Sequence, residues 1–329
     1  MQQTGIPGFI DLQVNGNRGV SFTSGELCTE DFVRACRNLI DAGTALLLPT
    51  VVTASDETYE HCLPLIADAL ERDELAGHAP GIHIEGPFLS PEPGAVGAHP
   101  PEHIRAPSIA FFDQIMTWAR GKVTLLTIAA DQPGAADLTR HAVARGVTVS
   151  LGHHLADEDD LADLTAAGAT ALTHIGNGVP NTIQRHNNPI WAALGADALT
   201  GMLITDGHHL PDALLRTILR AKGPEHCCVV SDASPVAGLP PGRYEFLGND
   251  AILEASGLFH NPEKECLVGS SATMLQCMNY LASLDFLTLE ELIAVGYSTP
   301  LRMIDVDPAS VPTDTALLYD GAARHFTIA

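Results

Sequence analysis

The chain has 329 residues, 46% of them hydrophobic, so it is long enough to bury a large core as one α/β barrel with insertions. Its 17 lysines and arginines are outnumbered by 40 aspartates and glutamates, which gives a formal net charge of −23. This charge repels nucleic acids and anionic membranes, so neither is expected as a partner. A small anionic substrate is still compatible, because a few basic groups in a cleft outweigh a diffuse surface charge at short distance.

In chain order, apolar runs alternate with amphipathic segments, which is the pattern of a parallel βαβ sheet. Eight such strands favour a closed TIM-type (β/α)8 barrel over an open sheet. The predicted strands are residues 8–14, 45–52, 81–85, 122–129, 147–151, 169–174, 200–205 and 227–231. The predicted helices between them include residues 29–42, 55–69, 135–144 and 157–167.

Beyond the eighth strand, the sequence predicts a hairpin at residues 243–254 and a helix at 271–283. Residues 305–314 are rich in proline and aspartate and predict a loop, and residues 315–328 are either a strand pair or a poorly ordered tail. We therefore expect one barrel domain, residues 1–304, with a hairpin insertion near 243–260. A C-terminal loop and short tail, residues 305–329, follow it.

The seven cysteines are odd in number, have no CxxC spacing and lie mostly inside predicted helices or strands. This usage is typical of reduced core cysteines and predicts a cytoplasmic protein. The first residues lack the basic-then-apolar pattern of a secretory signal, and no apolar run is long enough to cross a bilayer.

Four chemically active residues, Glu85, His153, His174 and Asp232, each follow a strand-like run directly. The carboxyl ends of parallel barrel strands meet at one mouth, where barrel enzymes carry their chemistry. A single histidine at a strand end is more often structural than a ligand, so the prediction depends on their joint placement. Together these residues predict a hydrolytic metal site.

Nine short segments follow one another along the chain. They are residues 7–16 (PGFIDLQVNG), 83–88 (HIEGPF), 97–99 (GAH), 150–153 (SLGH), 173–174 (TH), 204–209 (ITDGHH), 231–233 (SDA), 238–244 (GLPPGRY) and 269–274 (GSSATM). In this order the chain resembles the N-acetylglucosamine-6-phosphate deacetylases of the amidohydrolase superfamily. The resemblance implies a metal-dependent barrel that removes the N-acetyl group, leaving glucosamine 6-phosphate and acetate. It also implies that the small β-sandwich domain of the relatives is absent or vestigial, because the chain begins almost at its first barrel strand.

The resemblance assigns roles at the barrel mouth. Glu85, His153 and His174 would bind one divalent metal per chain, and oxygen plus nitrogen donors suit Zn²⁺, with Fe²⁺ or Mn²⁺ also accepted. Asp232 would act as general base and then general acid towards water activated on that metal. His99 would donate to the carbonyl oxygen as negative charge develops there.

The first strand carries Gln13 and Asn15 where many amidohydrolases have a His-x-His pair that holds a second metal. Neutral amides are weak ligands for Zn²⁺, so a mononuclear site is expected. The other interpretation of both residues, hydrogen bonding within the barrel mouth, is compatible with that expectation.

Substrate contacts also follow from the resemblance, which implies an amino-sugar phosphate as the small-molecule substrate. Arg185 and His209 match the positions that hold the sugar phosphate, and the backbone amides near Asn177 and Gly178 match a substrate loop. In relatives the arginine reaches across a dimer interface, which implies a homodimer. A solvated loop charge is the alternative for Arg185.

Two alternatives remain open from the sequence. The loop at 175–181 and residues 234–236 differ from the usual family pattern, which is compatible with a different N-acyl amine or a cyclic amide as substrate. The second alternative is a non-catalytic metal-binding scaffold, but the retained candidate base Asp232 argues against it.

Overall fold

The computed structural model describes residues 4–329, and the eight predicted strands form a parallel barrel in it. Neighbouring strands are hydrogen-bonded in chain order, which confirms the predicted fold class. The sixth strand has only two residues and is shorter than predicted. The eight strands are Phe9–Val14, Thr44–Val52, Ile82–Glu85, Val123–Ile128, Thr148–Leu151, Ala171–Leu172, Thr200–Ile204 and Cys227–Val230.

The barrel closes between its eighth and first strands just at the mouth. The Asp232 N–H donates to the Gln13 carbonyl at 2.9 Å, and the Asn15 N–H donates to the Ala233 carbonyl at 2.7 Å. These backbone bonds place Asp232 beside the two amide residues of the first strand.

Ten α-helices accompany the strands in the described chain, and the five predicted helices are among them. The helix after the fifth strand illustrates why they form, since the Asp157 carboxylate caps its first turn and Gly168 ends it at φ +111°. The helices are Thr29–Asp41, Asp56–Ala69, Ile109–Trp118, Ala135–Val143, Glu158–Ala167, Pro189–Gly195, Asp212–Lys222, Met274–Ser283, Leu289–Ile293 and Thr299–Met303.

The strands are buried on both faces, as parallel barrel strands must be. One apolar cluster includes side chains such as Leu48 and Met202 and continues to Leu301 and Ile304 near the C-terminus. A second, larger cluster lies between the strands and the helices. Two packed layers therefore support the residues at the strand ends.

Three smaller sheets complete the fold over the described residues. A four-stranded antiparallel sheet follows the eighth barrel strand and consists of Gly242–Phe246, Asn249–Leu253, Phe259–Asn261 and Cys266–Leu267. A three-stranded sheet joins Thr4–Pro7 to the hairpin Ala316–Asp320 and His325–Ile328, so the 315–328 segment is a strand pair. Gly16–Asn17 and Val20–Ser21 form a short ribbon after the first barrel strand. Within residues 4–329, no helix is both long and apolar enough to span a bilayer.

Candidate active site

The four strand-end residues converge at the barrel mouth. Glu85 is the last residue of the third strand, and His153, His174 and Asp232 lie two residues beyond the fifth, sixth and eighth strands. None of the four is more than 8% exposed. His153, His174 and Asp232 have φ values of +52°, +30° and +49°. This left-handed backbone costs side-chain-bearing residues on the order of 1–3 kcal/mol each and is typical of functional sites.

Three side-chain atoms form a compact triangle. His174 Nε2 lies 3.0 Å from both Glu85 Oε1 and His153 Nε2, and His153 Nε2 lies 3.3 Å from Glu85 Oε1. In a tetrahedral Zn²⁺ site with bonds of about 2.0–2.1 Å, neighbouring ligand atoms are roughly 3.3 Å apart. The donor types and their spacing therefore fit one divalent metal ion.

The surroundings prepare this triangle for ligation. His153 Nδ1 donates to the Ala95 carbonyl at 2.8 Å, which leaves the lone pair of Nε2 facing the triangle. Burial opposes ionisation of Glu85, but the adjacent rings of His153 and His174 hold the pKa of its carboxyl well below the usual range. Glu85 is therefore ionised, as a carboxyl group that binds a metal must be.

Asp232 is linked to the triangle through Gln13. The Gln13 amide donates to Glu85 Oε1 at 3.0 Å and to Asp232 Oδ1 at 3.3 Å, and the Asn15 amide donates to the same Asp232 oxygen at 2.7 Å. Burial, followed by the negative charge of Glu85, raises the pKa of Asp232 to about 7. A carboxyl with this pKa both accepts and returns a proton near neutral pH.

The carbonyl oxygens of the same two amides are free. Gln13 Oε1 and Asn15 Oδ1 are buried and have no hydrogen-bond partner among the residues that the structure describes. Buried polar atoms normally find a partner, so these oxygens are available to a ligand. The amides thus bridge the two carboxylates on one side and present acceptors on the other.

His99 lies at the same mouth. Ligand atoms of Glu85, His99 and His153 all fall within 4.8 Å of one another, a looser group than the triangle with His174. Burial and the neighbouring His153 lower the pKa of His99 to about 3, so its ring is neutral. His99 Nδ1 is 3.0 Å from Thr53 Oγ1, and a hydroxyl proton given to Nδ1 leaves the ring proton on Nε2.

A cavity of about 560 Å³ opens over these residues. Asn177, Gly178 and His209 line it together with the proposed ligands, Asn15, His99 and Asp232. Its wall is completed by the 93–99 loop and by residues of the four-stranded sheet. Three of the four predicted substrate contacts are thus brought to one cavity.

His209 is held by an aspartate that the sequence analysis did not select. Asp206 Oδ2 lies 2.7 Å from His209 Nδ1, and Asp206 Oδ1 accepts the N–H groups of His208 and His209 at 2.9 Å. Burial favours the neutral ring of His209, but the Asp206 carboxylate outweighs burial and raises the pKa of His209. The signal in the sequence was an acidic residue three positions before the histidine, which a turn places beside its ring.

Arg185, the fourth predicted contact, does not line the cavity of its own chain. Its side chain is exposed, and its carbonyl accepts hydrogen bonds from Trp191 and Asn188. The two histidines next to proposed ligands are hydrogen-bonded to other residues. His83 bonds to Leu12 and Thr127, and His154 accepts from the Ala156 N–H.

Comparison with known proteins identifies relatives over nearly the whole chain. N-acetylglucosamine-6-phosphate deacetylase from Homo sapiens is 32% identical over 322 residues, covering 94% of this chain and 76% of the relative. N-acetylgalactosamine-6-phosphate deacetylase from Escherichia coli O157:H7 is 30% identical over 302 residues, covering 92% and 78%. The chain belongs to the N-acetylglucosamine-6-phosphate deacetylase family. No protein-family model matches it.

Solved structures of the deacetylase family share the whole fold. An aspartate-to-alanine variant of the Mycobacterium smegmatis deacetylase, in complex with N-acetyl-D-glucosamine-6-phosphate, superposes with a TM-score of 0.88 at 26% identity. The match covers 99% of this chain and 85% of that one. The Pasteurella multocida deacetylase gives a TM-score of 0.85 at 26% identity, covering 99% and 87%.

Proposed function

We propose that this chain hydrolyses the acetamide of N-acetylglucosamine 6-phosphate, giving glucosamine 6-phosphate and acetate. The observation that carries the proposal is the Glu85–His153–His174 triangle joined through Gln13 to Asp232, in a chain that belongs to the deacetylase family. The triangle supplies metal ligands and Asp232 supplies a group that moves protons. These are the two parts that metal-assisted amide hydrolysis requires.

Glu85, His153 and His174 would hold one divalent metal per chain, which we propose is Zn²⁺, although Fe²⁺ or Mn²⁺ suits the same donors. Such a metal, when bound, supplies Lewis acidity and lowers the pKa of a coordinated water to about 7. Gln13 and Asn15 use their amide N–H groups on carboxylates, which supports a mononuclear site.

Asp232 performs both proton transfers in this proposal. Its carboxylate accepts a proton from the attacking water and delivers it to the nitrogen of the sugar, because an amine anion is too poor a leaving group to depart unprotonated. Burial is the largest cause of the raised pKa of Asp232, and a carboxyl with a raised pKa is suited to return the proton that it has accepted. Asn15 and Gln13 fix the carboxylate oxygen through their N–H groups.

His99 stabilises the negative charge that develops on the acetyl oxygen. When Nδ1 accepts a hydrogen bond from the Thr53 hydroxyl, the neutral ring carries its proton on Nε2 and donates from there. The neutral state is favoured by burial, which lowers the pKa of His99 to about 3. The free carbonyl oxygens of Gln13 and Asn15 accept N–H or O–H groups of the sugar.

The phosphate end of the substrate would meet His209 and the backbone amides near Asn177 and Gly178, all of which line the cavity. Arg185 would come from the second subunit of a homodimer, because it is exposed and does not line the cavity of its own chain. All seven cysteines are free thiols, which supports a reducing, cytoplasmic location.

A second sugar is favoured by one observation, the 30% identity to the Escherichia coli N-acetylgalactosamine-6-phosphate deacetylase. The two sugars differ in the configuration of one hydroxyl, so the same proton transfers would serve both. The 4-epimer therefore belongs in the test.

The test measures acetate released by the purified protein from both 6-phosphorylated sugars and from unphosphorylated N-acetylglucosamine, and it measures ring opening of a cyclic amide separately. We expect the N-acetylglucosamine phosphate to react best and elemental analysis to find about one divalent metal per chain. Chelation should abolish turnover and added Zn²⁺, Fe²⁺ or Mn²⁺ should restore it. Preference for the cyclic amide, or full activity after complete chelation, would overturn the proposal.

A further inference from the structure

The four-stranded sheet contributes one wall of the cavity. Phe246 and Leu247 from its first hairpin line the cavity, and so do residues 264–269 after its third strand. The sheet is tied to the loop that carries His99, because Asn249 donates to the Ala98 carbonyl at 2.8 Å. The turn between its third and fourth strands, residues 262–265, therefore has a defined position over the mouth.

Lys264 lies on the 262–265 turn. Asn261 Oδ1 accepts the N–H groups of Glu263 and Lys264 at 3.0 and 3.2 Å, and these two bonds fix the backbone of the turn. The carbonyl of Glu265 accepts from Asn181 on the opposite loop at 3.5 Å. The backbone around Lys264 is thus held from both sides, and the residue lines the cavity and is exposed to solvent.

The charge of the cavity makes this lysine unusual. Within the described residues, Lys264 is the only lysine or arginine of the cavity lining, which also contains the carboxylates Glu85, Asp232 and Glu265. The chain as a whole carries a net charge of −23. A phosphate entering this cavity therefore needs a local cation to offset repulsion, and the fully charged candidate on the same chain is Lys264.

We propose that Lys264 binds the 6-phosphate of the substrate within its own subunit and makes the site selective for phosphorylated sugars. This inference rests on the proposed function, since it assumes a sugar phosphate in the cavity. Lysine suits the role because its ammonium group is a flexible point charge that reaches a phosphate from the rim. His209 lines the same cavity.

The test compares K264Q with R243Q. Arg243 is a matched control, because it is a cation on the same sheet that pairs with Asp250 and does not line the cavity. K264Q should raise the KM for N-acetylglucosamine 6-phosphate by roughly three- to tenfold, with kcat and the unphosphorylated sugar unchanged, since an exposed charge pair is partly screened. K264R should restore most of the affinity, and R243Q should behave like the parent.

A binding measurement separates this inference from the proposed function. Calorimetry compares glucosamine 6-phosphate with glucosamine, which requires no turnover. A preference for the phosphorylated amine that falls in K264Q supports Lys264 even if the deacetylation assay fails. Equal losses on both sugars, or an unchanged KM and affinity in K264Q, would overturn the role of Lys264 while leaving the metal site and Asp232 untouched.

Discussion

Two buried carboxylates at the barrel mouth differ in their pKa values. The adjacent rings of His153 and His174 hold the pKa of Glu85 low, whereas burial and the charge of Glu85 raise the pKa of Asp232 to about 7. Gln13 donates to both, so it fixes their separation. One carboxylate is thus ionised and suited to a metal, and the other is suited to proton transfer.

Asp232→Asn tests this division of roles. The amide still accepts and donates hydrogen bonds but takes up no proton, so kcat should fall by about 10²- to 10⁴-fold. Metal content, measured by elemental analysis, should stay near that of the parent because the triangle is intact. A variant that keeps near-parent turnover would remove Asp232 from the mechanism, and one that loses its metal would make Asp232 a ligand.

Asp206→Asn should change how phosphate binding depends on pH. Asp206 and, more weakly, Asp232 raise the pKa of His209, so the parent keeps a charged ring as the pH rises through 6.5. In the variant, burial acts almost unopposed and the ring loses its proton at lower pH. At pH 7 the KM for the sugar phosphate should rise roughly five- to tenfold, and the difference should shrink towards pH 5.5.

Kinetics on the unphosphorylated sugar are the control for Asp206→Asn, because that substrate should not respond to the charge of His209. Identical pH profiles of KM for parent and variant would show that Asp206 does not set the charge of the ring.

At the scale of elements, close packing of loops determines the position of the ligands. Gly94 approaches Pro180 so closely that a Cβ on it would lie 2.5 Å from the Pro180 Cα. Gly178 has φ +63°, and a Cβ there would lie 2.8 Å from His153 Nδ1. The substrate loop therefore depends on glycine both for its backbone and for the space that the His153 ring occupies.

Gly178→Ala should weaken metal binding, because the new methyl group displaces the His153 ring and breaks its bond to Ala95. We expect about a 10- to 100-fold loss of metal affinity in competition with a chelator. Gly121→Ala is the matched control, since Gly121 also has a positive φ, +75°, but has open space around its Cβ position. If both variants lose metal equally, backbone strain and not the contact with His153 is the cause.

The strands were predictable because each is a short apolar run with both faces buried, and their order follows from the βαβ alternation. Placement of site residues at strand ends followed from the same pattern. Helices such as Pro189–Gly195 and Asp212–Lys222 were not predicted, since the first has only seven residues and the second follows Pro211 directly. Thr53 and Lys264 were missed because their roles come from tertiary contacts that no local periodicity encodes. Asp206 was missed although its contact with His209 is local, since the turn that joins them is not part of a strand or helix pattern.

At the scale of the whole molecule, the acidic chain has few cations to offer a phosphate. Arg185 lies on an exposed loop, and its carbonyl accepts from the indole of Trp191, which is 55% exposed. Exposed tryptophan and arginine side by side are typical of protein interfaces. This surface supports the proposal that a second subunit covers the loop and receives Arg185 in its cavity.

Mixed dimers of Asp232→Asn and Arg185→Ala chains test this exchange of a residue between subunits. In a mixed dimer one cavity combines the intact Asp232 of one chain with the intact Arg185 of the other, while the second cavity lacks both. The assay uses substrate concentrations well below KM, where Arg185→Ala alone should be roughly 10- to 100-fold impaired. An equal mixture that is allowed to exchange subunits should regain about a quarter of the parent activity, because half of the dimers are mixed and one of their two cavities is intact. Sedimentation analysis establishes the dimer, and mixing the chains under conditions that prevent exchange is the control. Activity that stays at the average of the two separate variants would place Arg185 outside the neighbouring cavity and leave the binding of the phosphate to groups of one chain.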